Sequence, residues 1–361
     1  MHYTGTPRYL NEVCLLHFLF YLGFIMIAFS SALPVSALPI DTERQLIEAR
    51  SPRYLFQTKD GKLSSDFVEL LKLDGIYDPS DTFSQAVDKT QTRWLQSIAG
   101  QRVNALPVAG GRTTERFDLQ DPPKWQAISD EVSAVAEKMG LFARRAPLLK
   151  HYTYGICLGA TLVDMRDRIA ELARMWKEEN VRFDTLVILT GQRTDLRSDL
   201  GGVDGFDRFC DEKSSPIAFR ADWKPPASID EYKNTFKSEY DLACELIFKQ
   251  LQLPDDMQAA LQGKIIVVNA PKGAKLRPTT QDTYDVWLKT YSPQGTALAV
   301  SSPVVWAGQA IVAEKCTRGT PVAVDTVASA VSQSQLDKYK EAKVILILDT
   351  VTKIGYELKA P

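Results

Sequence analysis

The chain of 361 residues carries 43 Lys+Arg against 45 Asp+Glu, 45% hydrophobic and 24% charged residues, three histidines and five cysteines. A net charge of -2 argues against nucleic acid or an acidic membrane surface as the main partner. Cys14, Cys157, Cys210, Cys244 and Cys316 have neither CxxC nor Cys/His ligand spacing, which argues against a structural zinc site and a dense disulfide framework.

From Val13 to Phe29 the chain is almost continuously apolar, with His17 its one strongly polar member, and small residues with prolines follow in SSALPVSALP. Such a run is an export signal or a membrane anchor. Val35 and Ala37 stand where cleavage wants small residues, which favours a signal peptide over an anchor. A buried core helix is the bland alternative, and it would need burial on all sides. Residues 1–37 are therefore expected to export the chain. The rest is expected to be periplasmic, secreted or anchored by residues 13–29, with no other membrane contact.

Residues 38–150 form the next region. Helical stretches at Asp66 to Leu73, Thr82 to Ile98 and Trp125 to Met139 are broken by Asp-Pro, Gly-Gly and Pro-Pro punctuation. From His151 onward, short apolar runs alternate with amphipathic segments. The runs are Tyr154 to Leu158, Thr185 to Leu189, Lys264 to Val268, Ala297 to Val300, Pro321 to Val324 and Val344 to Leu348. Their β-branched, near-continuous hydrophobicity suits parallel strands covered on both faces.

Between the runs, Met165, Ile169, Leu172, Ala173 and Trp176 recur at helical spacing, while Arg166, Arg168, Glu171 and Lys177 fall mostly elsewhere. Further helices are expected at about 237–251, 280–290, 304–315 and 333–341. Strict alternation implies right-handed βαβ crossovers. The fold class expected is α/β: a doubly wound, mainly parallel, Rossmann-like sheet of five to six strands over 151–361, preceded by a helical amino-terminal region. One segment, 193–233, lacks clear periodicity and reads as an inserted lid, binding loop or disordered stretch.

In an open parallel sheet the ligand site lies at the carboxyl ends of the strands. The first strand ends in Leu158-Gly159-Ala160-Thr161, where Gly159 permits a tight turn and the helix start can hold an anion; a simple strand-to-helix turn explains it as well. The second ends in Thr190-Gly191-Gln192-Arg193, and Arg193 is either a bidentate anion partner or a solvated loop charge. Glu239 opens a helix, where the helix dipole alone favours a carboxylate. Thr279 followed by Asp282 is a capping-box-like start, beside Thr280. Ser301 and Ser302 close the fourth strand, to bind a ligand or to cap the next helix. GxGxxG and P-loop patterns are absent.

His151 is the one histidine beyond the export segment, and it precedes the first strand, at the end of the sheet opposite the expected site. Ser–His–Asp or Cys–His catalysis is therefore disfavoured. Acid–base chemistry falls to carboxylates, Glu239 and Asp282 first, and a carboxylate-only cation site built on that pair stays open. Cys157 and Cys244 read as buried, inert thiols. The sequence specifies no metal site and no particular cofactor.

The succession Leu158-Gly-Ala, Arg168-Ile, Thr190-Gly191-Gln192, Glu239, Thr279-Thr280-Gln-Asp282-Thr283 and Ser301-Ser302 resembles the ElyC/SanA/YdcF-like family of envelope-associated bacterial proteins over about residues 152–315. Closer still is the likeness to uncharacterised bacterial proteins sharing stretches like LGATLxxMRxRIxxL, VRFDxLVxLTGQR and RPTTxDTxxxWL. The resemblance implies a Rossmann-like domain whose pocket is formed by Gly159, Arg168, residues 190–192, Glu239, Thr280 and Asp282, suited to a nucleotide-like or lipid-linked metabolite. The chain departs from the family where Ser301-Ser-Pro-Val-Val-Trp-Ala-Gly-Gln309 lacks the His and Arg that commonly follow the fourth strand.

Together these readings lead to an exported protein that binds a small anionic or nucleotide-like ligand through Gly159, Arg168, Thr190, Gly191, Arg193, Thr280 and Ser301. Glu239 and Asp282 would be the catalytic groups of a hydrolase or transferase without a catalytic histidine. The alternative is a non-catalytic envelope or secreted interaction protein that meets its partner through 193–233.

Overall fold

The computed structural model describes residues 40–104, 121–193, 203–273, 277–329 and 343–359. The chain divides into Met1–Glu43 and Arg44–Pro361, and the architecture below is that of the second unit. Among the described residues no helix is long and apolar enough to cross a membrane; the apolar run Val13–Phe29 lies outside them.

The helices that lead include α1 (Ser65–Leu73), α2 (Phe83–Asn104) and α3 (Ser129–Lys138). The sheet strands β1 (His151–Leu158), β2 (Arg182–Gly191), β3 (Ile265–Ala270), β4 (Gly295–Ser301) and β5 (Val322–Ala328) follow. All pair in parallel in the order β3-β2-β1-β4-β5. Five of the six expected runs are therefore strands of an α/β, doubly wound, Rossmann-like sheet, each somewhat longer than its apolar centre. Helices cover both faces. On one, Met165, Ile169 and Leu172 of α4 (Leu162–Glu178) pack over Ile188 and Leu298. On the other, Tyr284 and Trp287 of α8 (Thr280–Tyr291) pack over Ile156, Val187 and Ala299.

The sixth expected strand, Val344–Leu348, is instead the start of helix α10 (Lys343–Lys359). An apolar run cannot by itself separate a doubly covered strand from a helix buried all round. Residues Val344 to Val351 are indeed buried without a break. Their cover is one core shared by α1 (Phe67, Leu70), α3 (Val132, Val135), α9 (Trp306–Thr317) and α10 (Ile345, Leu348, Val351, Ile354). Asp121 caps α10 from more than 200 residues away in sequence: its carboxylate accepts the N–H groups of Val344 at 2.9 Å and Ile345 at 2.8 Å. That satisfies two of the helix's orphan donors and places a negative charge at its positive end. The helix expected at 333–341 lies outside the described residues.

The described part of the insertion, from 203 onward, is built rather than loose. It contains α5 (Val203–Cys210) and α6 (Ile229–Thr235), and Phe209, Tyr232 and Phe236 enter the main core as a mutually packed aromatic group. Helix α7 (Glu239–Glu245) then runs into a π-turn, Leu246–Gln250. Arg166 of α4 holds the insertion down. With 0% exposure, its guanidinium donates to Arg208 O at 2.9 Å, Phe209 O at 2.8 Å, Ser214 Oγ at 3.2 Å and Gln250 Oε1 at 2.8 Å, and it stacks over Phe219. The carbonyls at the end of α5 carry the negative end of the helix dipole, which stabilises a cation there. The polar side of α4 is thus not a solvent face: Arg166, Arg168 and Glu171 are all buried.

Candidate ligand crevice at the carboxyl edge

In the order β3-β2-β1-β4-β5 the winding direction reverses between β1 and β4, and at such a switch point the loops leaving adjacent strands part to leave a crevice. The β1 loop is Gly159-Ala160-Thr161, after which Thr161 caps α4: its hydroxyl oxygen accepts the N–H of Asp164 at 3.4 Å, and its O–H donates to Asp164 Oδ2 at 2.8 Å.

Arg168 is two residues beyond Arg166, about 200° around the helix, and so faces the opposite way. It is 2% exposed. Its Nη1 donates to Leu158 O at 2.5 Å and Gly159 O at 3.1 Å, the last carbonyls of β1, while Nε and Nη2 reach Ser302 Oγ just past β4 at 3.3 and 3.0 Å. Ser302 Oγ in turn donates to Asp164 Oδ1 at 3.2 Å. The chain Arg168, Ser302, Asp164, Thr161 therefore ties the two strands together across the switch point. The guanidinium lies beneath the ends of β1 and β4, and its hydrogen bonds are directed at the protein.

Two glycines let neighbouring elements approach this edge closely. A Cβ on Gly159 would lie 2.1 Å from Glu239 Oε1 and 2.6 Å from Leu189 O, so only glycine admits the Glu239 carboxylate there. Gly159 N–H donates to Leu189 O at 2.7 Å, and Glu239 N–H to Arg193 O at 3.0 Å. Glu239, at the start of α7, is 7% exposed. A Cβ on Gly191 would lie 2.6 Å from Pro278 Cγ and 2.8 Å from Ala270 O. This brings the loop before α8 onto the end of β2.

The remaining expected residues divide by how they are already bonded. Thr190 is buried, and its hydroxyl donates to Val268 O at 2.7 Å inside the sheet. Asp282 belongs to a full capping box: its Oδ2 accepts both Thr279 N–H and Thr279 O–H at 2.7 Å, and its own N–H donates to Thr279 Oγ1 at 3.3 Å. Thr280, half-buried, accepts the Thr283 hydroxyl on its carbonyl. Ser301 is fully buried, bonded to the Gln309 side-chain oxygen and to Ser302 O. Gly159, Arg168 and Glu239 thus meet at the end of β1, whereas Thr280 and Asp282 sit at the start of α8, past the ends of β2 and β3.

Ser302 was one of the two serines read as binding a ligand or capping the next helix, and it does neither here, since its hydroxyl joins Arg168 to Asp164; Asp164 had no place in the site read from sequence, although an acid at a helix start was visible. Cys157, beneath the crevice, is fully buried. Burial pushes its thiol up to about 12, against the pull of Arg168 and with the help of Glu239; at neutral pH it is an inert thiol. His151 lies exposed at the amino edge beside Asp184, 3.3 Å away. Among the described residues there is no group of three or more His, Cys, Asp and Glu able to hold a metal ion.

No family model, no curated protein and no solved structure matches this chain.

Proposed function

We propose that the protein binds a small nucleotide-like or anionic ligand in the crevice between the ends of β1 and β4, as an exported relative of the ElyC/SanA/YdcF-like envelope proteins. The observation that carries the reading is the buried Glu239 carboxylate seated on Gly159 at the carboxyl end of β1. A carboxylate so placed accepts hydrogen bonds from hydroxyl or amino groups of a ligand, while the start of α4 and the Arg168 guanidinium below supply positive potential for its anionic part. Chemistry at this site, as a hydrolase or transferase, runs through Glu239 as general base or acid, without histidine.

A thermal-stability screen against nucleotides, sugar nucleotides and divalent ions tests the proposal. A ligand at about 100 times its dissociation constant adds roughly 2.7 kcal/mol of stability. In Gly159→Val, whose side chain takes the space of the Glu239 carboxylate, that increment is expected to vanish. No stabilisation of the wild type by any compound, or an equal shift in the variant, refutes the crevice as the site.

The second reading, an interaction protein that uses 193–233, draws on the rigid anchoring of this segment by Arg166. Deleting the segment would remove Phe209 and Tyr232 from the core. Reversing the exposed charge of Asp222, which pairs with Arg220 at 3.2 Å, is the cleaner probe. Loss of a partner with the crevice intact would favour this second reading.

A further inference from the structure

The two edges of the sheet are finished differently. Every residue of β5 is buried, and the segment before β1 lies over it: Arg145 N–H donates to Ala328 O at 3.4 Å, Leu148 N–H to Asp325 Oδ2 at 2.8 Å. β3, at the other edge, pairs only with β2 among the described residues. Leu186 N–H donates to Lys264 O at 3.0 Å and Gln192 N–H to Ala270 O at 2.8 Å, which turns the backbone groups of the even-numbered residues toward β2. Successive residues of a strand present these groups to opposite sides, so the N–H and C=O of Ile265, Val267 and Asn269 face outward.

The side chains at this edge are apolar. Ile265, Ile266 and Val267 are only half-buried. A groove of about 510 Å³ beside them is lined by Ile265, Ile247, Leu251, Leu261 and Phe248, and Phe248 is 47% exposed. Between Ile265 and Ala270 there is no proline and no charged residue, the usual devices that keep an edge strand single.

We propose that β3 pairs antiparallel with β3 of a second copy about a two-fold axis through Val267, joining two five-stranded sheets into one. The outward groups fit this register. Val267 meets its own copy, and Ile265 meets the partner's Asn269. Each of these three residues donates its N–H and accepts on its C=O, as the hydrogen-bonded positions of an antiparallel ladder require. Ile266 faces the partner's Val268, and Lys264 faces the partner's Ala270, so no like charges are opposed. The same patch serves both copies, as a closed two-fold interface demands, and the groove with Phe248 lies beside the seam on each.

Sedimentation of the full chain over a concentration series, with a mild non-ionic detergent for Val13–Phe29, reads the assembly. Amide exchange reads the edge. The wild type is expected to dimerise, with the Val267 amide protected only where dimer is present and the Ile266 amide protected throughout. Asn269→Pro removes an outward N–H at an exposed position and leaves the β2 ladder whole; it is expected to weaken the dimer about 100-fold or more. Phe248→Asp, at an exposed site, is expected to weaken it about tenfold. A wild type that stays monomeric at every concentration overturns the proposal. So does a dimer that survives both substitutions, or a monomer whose Val267 amide is nevertheless protected, since another segment would then cover the edge.

Discussion

Arg166 and Arg168 stand two residues apart on one helix, both buried, and they hold two different regions. Arg166 binds the insertion through carbonyl groups more than 40 residues away in sequence, at the end of α5. Arg168 binds the ends of β1 and β4 and belongs to the crevice. In both cases oxygens of the backbone or of a neutral side chain accept from the guanidinium, so the fold itself solvates the charge. Where the carbonyls belong to an inserted segment, the result is attachment; where they belong to diverging strands, it is a fixed opening. The same side chain does both, and the topology around it decides which.

That comparison can be broken first at its stronger side. Arg166→Leu removes a buried cation and its four hydrogen bonds, although Arg208 O and Phe209 O keep Ser214 Oγ and Gln250 Nε2 as donors, and about 3–5 kcal/mol of stability is expected to be lost, measured by denaturant unfolding. Proteolysis should then cut first within 203–219, while ligand-induced stabilisation, scaled to the remaining fold, persists. Arg168→Leu is expected to cost less, about 2–3 kcal/mol, because one of its acceptors, Gly159 O, lies in a half-buried turn. Its effect should be the reverse in kind: a protected insertion and no ligand stabilisation. Ser302→Ala, which cuts the same tie at its middle, should lower stability by about 1 kcal/mol and weaken the ligand response without abolishing it.

The smallest effect concerns a group outside both regions. Glu314 accepts the Ser51 hydroxyl at 2.8 Å, and burial raises its carboxyl above the ordinary range despite that bond and the nearby Arg53 and Arg145. The folded state therefore holds this proton more tightly than the unfolded one, and stability falls as pH rises from the normal glutamate value, 4.5, through the raised one. Glu314→Gln should flatten that decline and leave both arginine sites unaltered, as urea midpoints taken across pH 4 to 8 would show.

The sheet was legible in the sequence because five β-branched runs are short, doubly covered and separated by amphipathic helices. Val344–Leu348 misled because burial on every side erases the period that marks a helix. The arginines misled for a related reason: charged residues outside the apolar stripe of a helix read as solvated, and only partners distant in sequence, Arg208, Phe209 and Ser302 among them, reveal that Arg166 and Arg168, on opposite sides of α4, are enclosed. In the crevice, Gly159 and Glu239 could be found from their places at a strand end and a helix start. The tie through Ser302 and Asp164 could not, since it depends on the spacing of β1 from β4. Thr279 and Asp282 could be read for what they do in the cap, and that role is visible in four consecutive residues.

The shared core of α1, α3, α9 and α10 also bears on the order of events during synthesis. About 280 residues separate the start of α1 from that of α10, so at about 5–20 residues per second the core that α1 and α3 begin waits roughly 14–56 seconds for α10 to complete it. During that interval Phe67 and Leu70 are available to a holding chaperone, and the helices that come first in the chain are among the last to be locked in place.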